Sequence, residues 1–216
     1  MPTPRRRPRA VRHRADVFVN LPFDSQHETL FVATIAGLVA LGLNPRCVLE
    51  VPPQQDRVRR LFEIVRECPF SIHDLSRVQV SRAGQFRVPR FNMPFELGLA
   101  VAVSLADAAA GRAPHQWRTL EAKRFRLAAS LSDISGYDGF VHHGTVAGTF
   151  EALLDIFAAL KHRPLHDSKD LHWVFRRLRQ FQFDHLKSGP FGAKSFRELV
   201  WNANILVDER RRQIGG

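Results

Sequence analysis

Glu96 is the residue of this chain whose type and place most call for chemistry. It lies in Pro89-Arg90-Phe91-Asn92-Met93-Pro94-Phe95-Glu96-Leu97-Gly98-Leu99-Ala100, which opens a segment otherwise made almost wholly of Ala, Val and Leu. The apolar run predicts a helix. Asn92 suits its cap and Pro94 its first turn, where no amide hydrogen is needed. A carboxylate is among the side chains least often buried without a partner. One held in the first turns of an apolar helix therefore points to a cleft. The structural alternatives are a partner for an arginine, or complementarity to the positive end of the helix.

A second group of polar residues falls where predicted strands end. Asn20, Phe23 and Asp24 follow Asp16-Val17-Phe18-Val19, a β-branched run. Arg46 lies within a second predicted strand, Leu43 to Glu50. His73, Asp74, Ser76 and Arg77 close a third, Phe70 to His73. In open parallel sheets ligands bind beyond the carboxyl ends of the strands, where strand order reverses. That rule gathers these residues, with Arg90, Asn92 and Glu96, on one rim. Each also has a purely structural role open to it. Asn20 and Asp24 suit turns and caps. His73 suits a satisfied core position, Asp74 a cap or a partner for Arg77, and Arg46 a strand edge. There is no Walker loop, dinucleotide glycine fingerprint, His-Glu-x-x-His or Gly-x-Ser-x-Gly elbow, which weakens the corresponding readings.

The elements that must position these groups follow from periodicity. Ser25-Gln26-His27-Glu28 has the form of a capping box before a helix running to Leu41, apolar on most sides and stopped by Gly42. Val58, Leu61, Phe62 and Val65 form the stripe of a second helix. Residues 78–88 read as a polar loop. Trp117 to Glu121 reads as a fourth strand and Phe140-Val141 as a short fifth. Thr145 starts a helix with Val146, Phe150, Leu153, Leu154, Phe157 and Leu160 on one face. The alternation predicts an α/β fold: a doubly wound, mostly parallel sheet of about five strands over residues 15–164. Residues 165–216 read as a C-terminal helical appendage. Its stripes are Leu171, Val174, Phe175, Leu178 and Phe196, Leu199, Val200, Ala203. Such a hairpin packs on the body, binds a partner protein or drives self-association into a homo-oligomer.

The chain has 216 residues and a formal charge of +11. Six of the eleven charges are Arg5, Arg6, Arg7, Arg9, Arg12 and Arg14, in a stretch without an acid, which leaves five for the body. Residues 1–14, also rich in proline, read as a disordered basic tail. Together with Arg210-Arg211-Arg212 the tail suits weak electrostatic docking on nucleic acid. No run reaches the ~18 apolar residues of a membrane span. Cys47 and Cys68 have neither metal nor disulfide spacing and read as reduced thiols of a cytoplasmic protein.

Asn20-Leu21-Pro22-Phe23-Asp24, His73-Asp74-Leu75-Ser76-Arg77 and Pro94-Phe95-Glu96-Leu97-Gly98-Leu99-Ala100 together resemble nucleoside 2-deoxyribosyltransferases and the wider group of Toll/interleukin-1 receptor (TIR)-like domains. The resemblance covers residues 16–160, and the Phe-Glu-Leu-Gly-x-Ala window is its sharpest part. It implies a flavodoxin-like or TIR-like sheet. In the transferases the glutamate of that window attacks the anomeric carbon of a nucleoside. In NAD-cleaving TIR domains a helix glutamate contacts the ribose. Either role lands on Glu96. The implied activity is cleavage or transfer of an N-glycosidic bond in a nucleoside or nucleotide. NAD leads as substrate, no cofactor is required, and defence signalling is a role the TIR likeness suggests. Asp74 or His73 would then serve the leaving base, Arg46, Arg77 or Arg90 a phosphate, and Phe23 would stack on the base. The alternative is a non-catalytic nucleotide-sensing or interaction module of the same fold. Two departures bear on the substrate. Asn92-Met93-Pro94 stands where the transferases usually carry small residues, and the Trp-Cys pair common before the TIR glutamate is missing.

Overall fold

The computed structural model describes residues 14–51, 56–78, 81–83, 85–126, 129, 131–134, 136–137, 139–160, 163–187 and 189–215. Arg5, Arg6, Arg7, Arg9 and Arg12 of the basic tail lie outside the described residues. Five parallel strands form one sheet: β1 (Asp16–Asn20), β2 (Asn44–Arg46), β3 (Phe70–Asp74), β6 (Gln116–Glu121) and β7 (Phe140–Val141), in the order β2-β1-β3-β6-β7. Strand order therefore reverses beside β1, with β2 on one side and β3 on the other. Asn20 lies in register with His73, and Asp74 with Leu120.

Helices cover both faces. On one lie α2 (Arg57–Glu67) and α3 (Asn92–Ala109). Phe18, Leu61, Ile64, Val65, Ala100 and Val103 pack together there. On the other lie α1 (Glu28–Ala40) and α4 (Val146–Ile156). Over α1 sit α5 (Ser168–His185) and α6 (Ala193–Ile214). This explains a helix with no polar face. Residues 30–40 of α1 are all buried, because the sheet is below and α5 and α6 are above. Leu171, Val174 and Leu178 from α5 and Phe196, Leu199, Ala203 and Val207 from α6 join α1 in one core. The appendage thus spends its apolar stripes on the body. Fully burying each Leu, Val or Phe side chain contributes about 1.5–3 kcal/mol.

Several local expectations are corrected. The capping box at Ser25–Glu28 does not form. Instead Asp24 Oδ1 accepts from the amides of Gln26 and His27 at 3.0 and 3.1 Å, and α1 begins at Glu28. The second strand is only three residues long, because Glu50 Oε1 accepts the Cys47 amide at 2.9 Å and turns Val48–Glu50 into a 3-10 helix. The polar loop contains a hairpin, β4 (Ser81–Ala83) antiparallel to β5 (Phe86–Val88). In α2 the buried stripe is Leu61, Ile64 and Val65. Val58 and Phe62 are exposed, and the Arg66 guanidinium lies 5.8 Å from the Phe62 ring centroid. Asn92 is the first residue of α3, exposed, and does not cap it. Among the described residues no helix is long and apolar enough to cross a membrane. Cys47 and Cys68 are free and buried, and burial pushes the Cys68 thiol up to about 12.

Candidate functional site

Neighbours in a strand point to opposite faces. His73 and Asp74, adjacent in sequence at the end of β3, are therefore parted by the sheet. His73 faces the α2/α3 side, with its ring centroid 6.1 Å from that of Phe18. Asp74 faces the α1/α4 side.

On the α2/α3 side a single hydrogen-bond chain crosses the sheet. The Cys68 carbonyl can only accept, so His115 Nδ1 donates to it at 2.7 Å and His115 Nε2 is left as an acceptor. The Ser71 hydroxyl donates to that nitrogen at 2.7 Å and accepts from His73 Nε2 at 2.9 Å. His73 Nδ1 then accepts from the Asn20 amide at 3.1 Å, and the same amide donates to the Met93 carbonyl at 2.9 Å. The chain ties the first turn of α3 to the ends of β1 and β3. Burial pushes His73 down to about 3. Its ring is fully buried with both nitrogens committed, so it positions Asn20 and α3 and has no proton to offer a leaving group.

On the opposite side Asp74 Oδ2 lies 3.0 Å from His27 Nε2 and 3.4 Å from His142 Nε2, while Oδ1 accepts the Ser76 amide at 2.8 Å. His142 Nδ1 accepts the Gly144 amide at 2.9 Å, which places the ring proton on Nε2, toward Asp74. Burial acts to raise the Asp74 carboxyl, but hydrogen bonds and charge from His142 and His27 outweigh it and hold the group well below the usual range. A carboxylate so held is ionised at neutral pH and is not a general acid. Sequence reasoning missed both histidines. His27 hides inside the supposed capping box. His142 follows β7, where the rule about strand ends would have found it.

Glu96 stands apart from both groups. It is in α3, 5% exposed, and its Oε2 has no hydrogen-bond partner among the described residues. Burial pushes its carboxyl up to about 7, against the opposing charge of Arg57. Arg57 opens α2, which lies beside α3 on the same face of the sheet. Its raised value has a consequence for stability. Between pH 4.5 and pH 7 the unfolded chain has released a proton that the folded protein keeps, so stability falls as pH rises through this window and levels off above it. The full difference is about 3 kcal/mol. Glu96→Gln is expected to remove that dependence and unfold at higher denaturant than the parent at pH 8, with a much smaller gain at pH 4.5. Equal gains at both values would place the origin elsewhere.

The remaining expected residues divide. Asp24 Oδ2 lies 3.1 Å from Arg77 Nε and 2.9 Å from Arg90 Nη1, so these three do meet, as an ion-pair cluster. Arg46 does not join them. It pairs with Asp16 at 3.1 Å and Glu50 at 2.9 Å. Phe23 packs on Phe31 and Phe191, with ring centroids 5.7 and 6.0 Å away, between α1 and the loop before α6.

Two clefts open near the carboxyl ends of the strands. One, of about 280 Å³, is lined by Leu75, Val78, Pro89, Arg90, Phe91, Pro94, Glu121, Arg126 and Leu131. The other, of about 560 Å³, is lined by residues that include Glu121, Arg124, Tyr137, His143, Glu151 and Asp155. Glu121 closes β6 between them and is buried. Gly139 makes room for it, since a Cβ there would sit 2.6 Å from Glu121 Oε1. Glu96 lines neither cleft. Among the described residues no group of three or more His, Cys, Asp or Glu is placed to hold a metal ion. Comparison with protein families, with curated proteins and with solved structures finds no match to this chain.

Proposed function

We propose that this protein breaks or transfers the N-glycosidic bond of a nucleoside or nucleotide, with NAD the leading substrate and Glu96 the carboxylate at the anomeric carbon. The observation that carries the reading is Glu96 itself: a buried carboxylate with an oxygen that has no partner among the described residues, in the second turn of a helix that opens at the carboxyl ends of a parallel sheet. A group in that state costs stability, and functional sites are where such costs gather. Scission of the bond develops positive charge on the sugar ring. An adjacent carboxylate stabilises that charge, or traps the sugar covalently until water or a second base takes it.

The leaving group decides among substrates. Purine and pyrimidine bases depart more readily when a general acid protonates them. Nicotinamide is already cationic in its glycoside and departs neutral, with no proton delivered. His73 and Asp74 are committed to other partners, and this arrangement favours a pyridinium base. The resemblance to TIR-like domains supports the same substrate.

The reading is tested by release of free nicotinamide from NAD, beside a panel of nucleosides. Glu96 must be ionised to act, so the rate is expected to climb through about pH 7 and to fall about tenfold per unit below pH 6. A rate that is flat from pH 5 to 8 would remove Glu96 from the role.

A further inference from the structure

The cleft lined by Leu75, Pro89, Arg90, Phe91, Pro94 and Leu131 has no task in the glycosidic reading. It lies on the other side of α3 from Glu96. Pro94 lines it and Glu96 does not, and residues two apart in a helix point about 200° apart around its axis. Its walls are chiefly apolar, and two of them are flat proline rings. Phe91, 68% exposed, leaves an aromatic surface to solvent there. At about 280 Å³ the cleft falls just below the ~300–1,000 Å³ of pockets for drug-sized ligands, so it suits a single ring system and not a dinucleotide. The charge at its edge is a second observation. Asp24 Oδ2 serves two guanidiniums, Arg77 Nε at 3.1 Å and Arg90 Nη1 at 2.9 Å, while Asp24 Oδ1 is taken up by the amides of Gln26 and His27. One carboxylate therefore meets two cations, and the group keeps one positive charge in excess. Arg77 also donates to Gln26 Oε1 at 2.6 Å. Arg90 spends only Nη1. Its Nε and Nη2, the side fork of a guanidinium, have no partner among the described residues. Of the other charged groups on the cleft, Arg126 donates to the Ser76 carbonyl at 2.8 Å, and Glu121 holds Oε1 against Gly139, which lines the second cleft.

We propose that this cleft binds a small planar carboxylic acid, with its ring against Phe91 and the two prolines and its carboxylate in the Nε/Nη2 fork of Arg90. Apolar walls supply burial, and one well-placed guanidinium fixes orientation and selects an anion. The ligand's charge balances the excess cation of the Arg77–Asp24–Arg90 group, which a neutral ring of the same shape cannot do. The site is separate from Glu96 and does not rest on the glycosidic reading.

The probe is benzoate, titrated on the full chain and read by saturation transfer to its proton NMR signals. Benzamide, which has the shape without the charge, and acetate, which has the charge without the ring, are run beside it. Benzoate is expected to bind in roughly the millimolar range, the scale for a ligand of so few atoms. It should bind at least about tenfold tighter than either control. Arg90→Gln should weaken benzoate at least about tenfold, and Arg90→Lys, which keeps the charge and loses the fork, should fall between. Leu131→Phe fills the cleft, leaves every charge in place and should also abolish binding. A melting curve on each variant shows that it is folded. Benzamide or acetate binding as tightly as benzoate, no binding of benzoate, or benzoate affinity unmoved by Arg90→Gln or by Leu131→Phe would overturn the site. Base release is measured separately, and its absence would defeat the glycosidic reading while leaving this site in place.

Discussion

Asp74→Asn is expected to destabilise the protein by about 3–5 kcal/mol, the range for removing one partner from a buried charged cluster. The sign follows from the proton positions. His142 Nδ1 accepts from the Gly144 amide, so His142 Nε2 carries its hydrogen toward Asp74. Asparagine offers one oxygen, which the Ser76 amide can retain, and turns an N–H₂ toward the two ring nitrogens. Donor then meets donor at His142. The histidines sit at the start of α1 and just before α4, so the damage reaches the helices that hold the larger core. For a chain of this size the loss corresponds to a fall of roughly 10 °C in melting temperature. The carboxylate's contribution is present above the ordinary carboxyl range and is lost as pH falls through its depressed value, so the gap between parent and variant should narrow in acid. An unchanged melting temperature with lost turnover would return Asp74 to the chemistry.

Glu96→Gln should act in the opposite sense on stability and more severely on turnover. The substitution keeps the size of the side chain and removes the charge that burial resists. If Glu96 stabilises or traps the sugar cation, base release should fall at least about 10³-fold, the scale seen when a group acting directly on the transition state is deleted. The same protein should be more stable than the parent above pH 7. A substitution that stabilises while it inactivates identifies a residue kept for its task.

The layers of the fold were legible because they follow from periodicity. Alternation of strands and helices implied a doubly wound sheet, and the uniformly apolar α1 implied cover on both sides, which α5 and α6 supply. Boundaries were less legible where a side chain captured a backbone amide: Asp24 delays α1, and Glu50 shortens β2. For the site, residue types at strand ends were readable, but which side of the sheet each joins depends on exact register. His73 and Asp74, one residue apart, proved to belong to separate clusters. Asn20 found His73 because the parallel register of β1 and β3 sets them side by side. His27 and His142 were hidden for a different reason. Their importance comes from Asp74, 47 and 68 residues away in sequence, and only the place of His142 after a strand marks either of them locally.

The role proposed for Glu96 is action on a glycosidic bond. Its most direct test is to incubate the protein and its Glu96→Gln variant, in parallel at pH 7.5 (roughly the range in which Glu96 is mostly ionised), with NAD and a panel of nucleosides and deoxynucleosides. The released base is measured by chromatography. The expected result is nicotinamide release by the parent and its loss in the variant, with both proteins folded. Undiminished release by the variant, or no release from any compound by the folded parent, would contradict it.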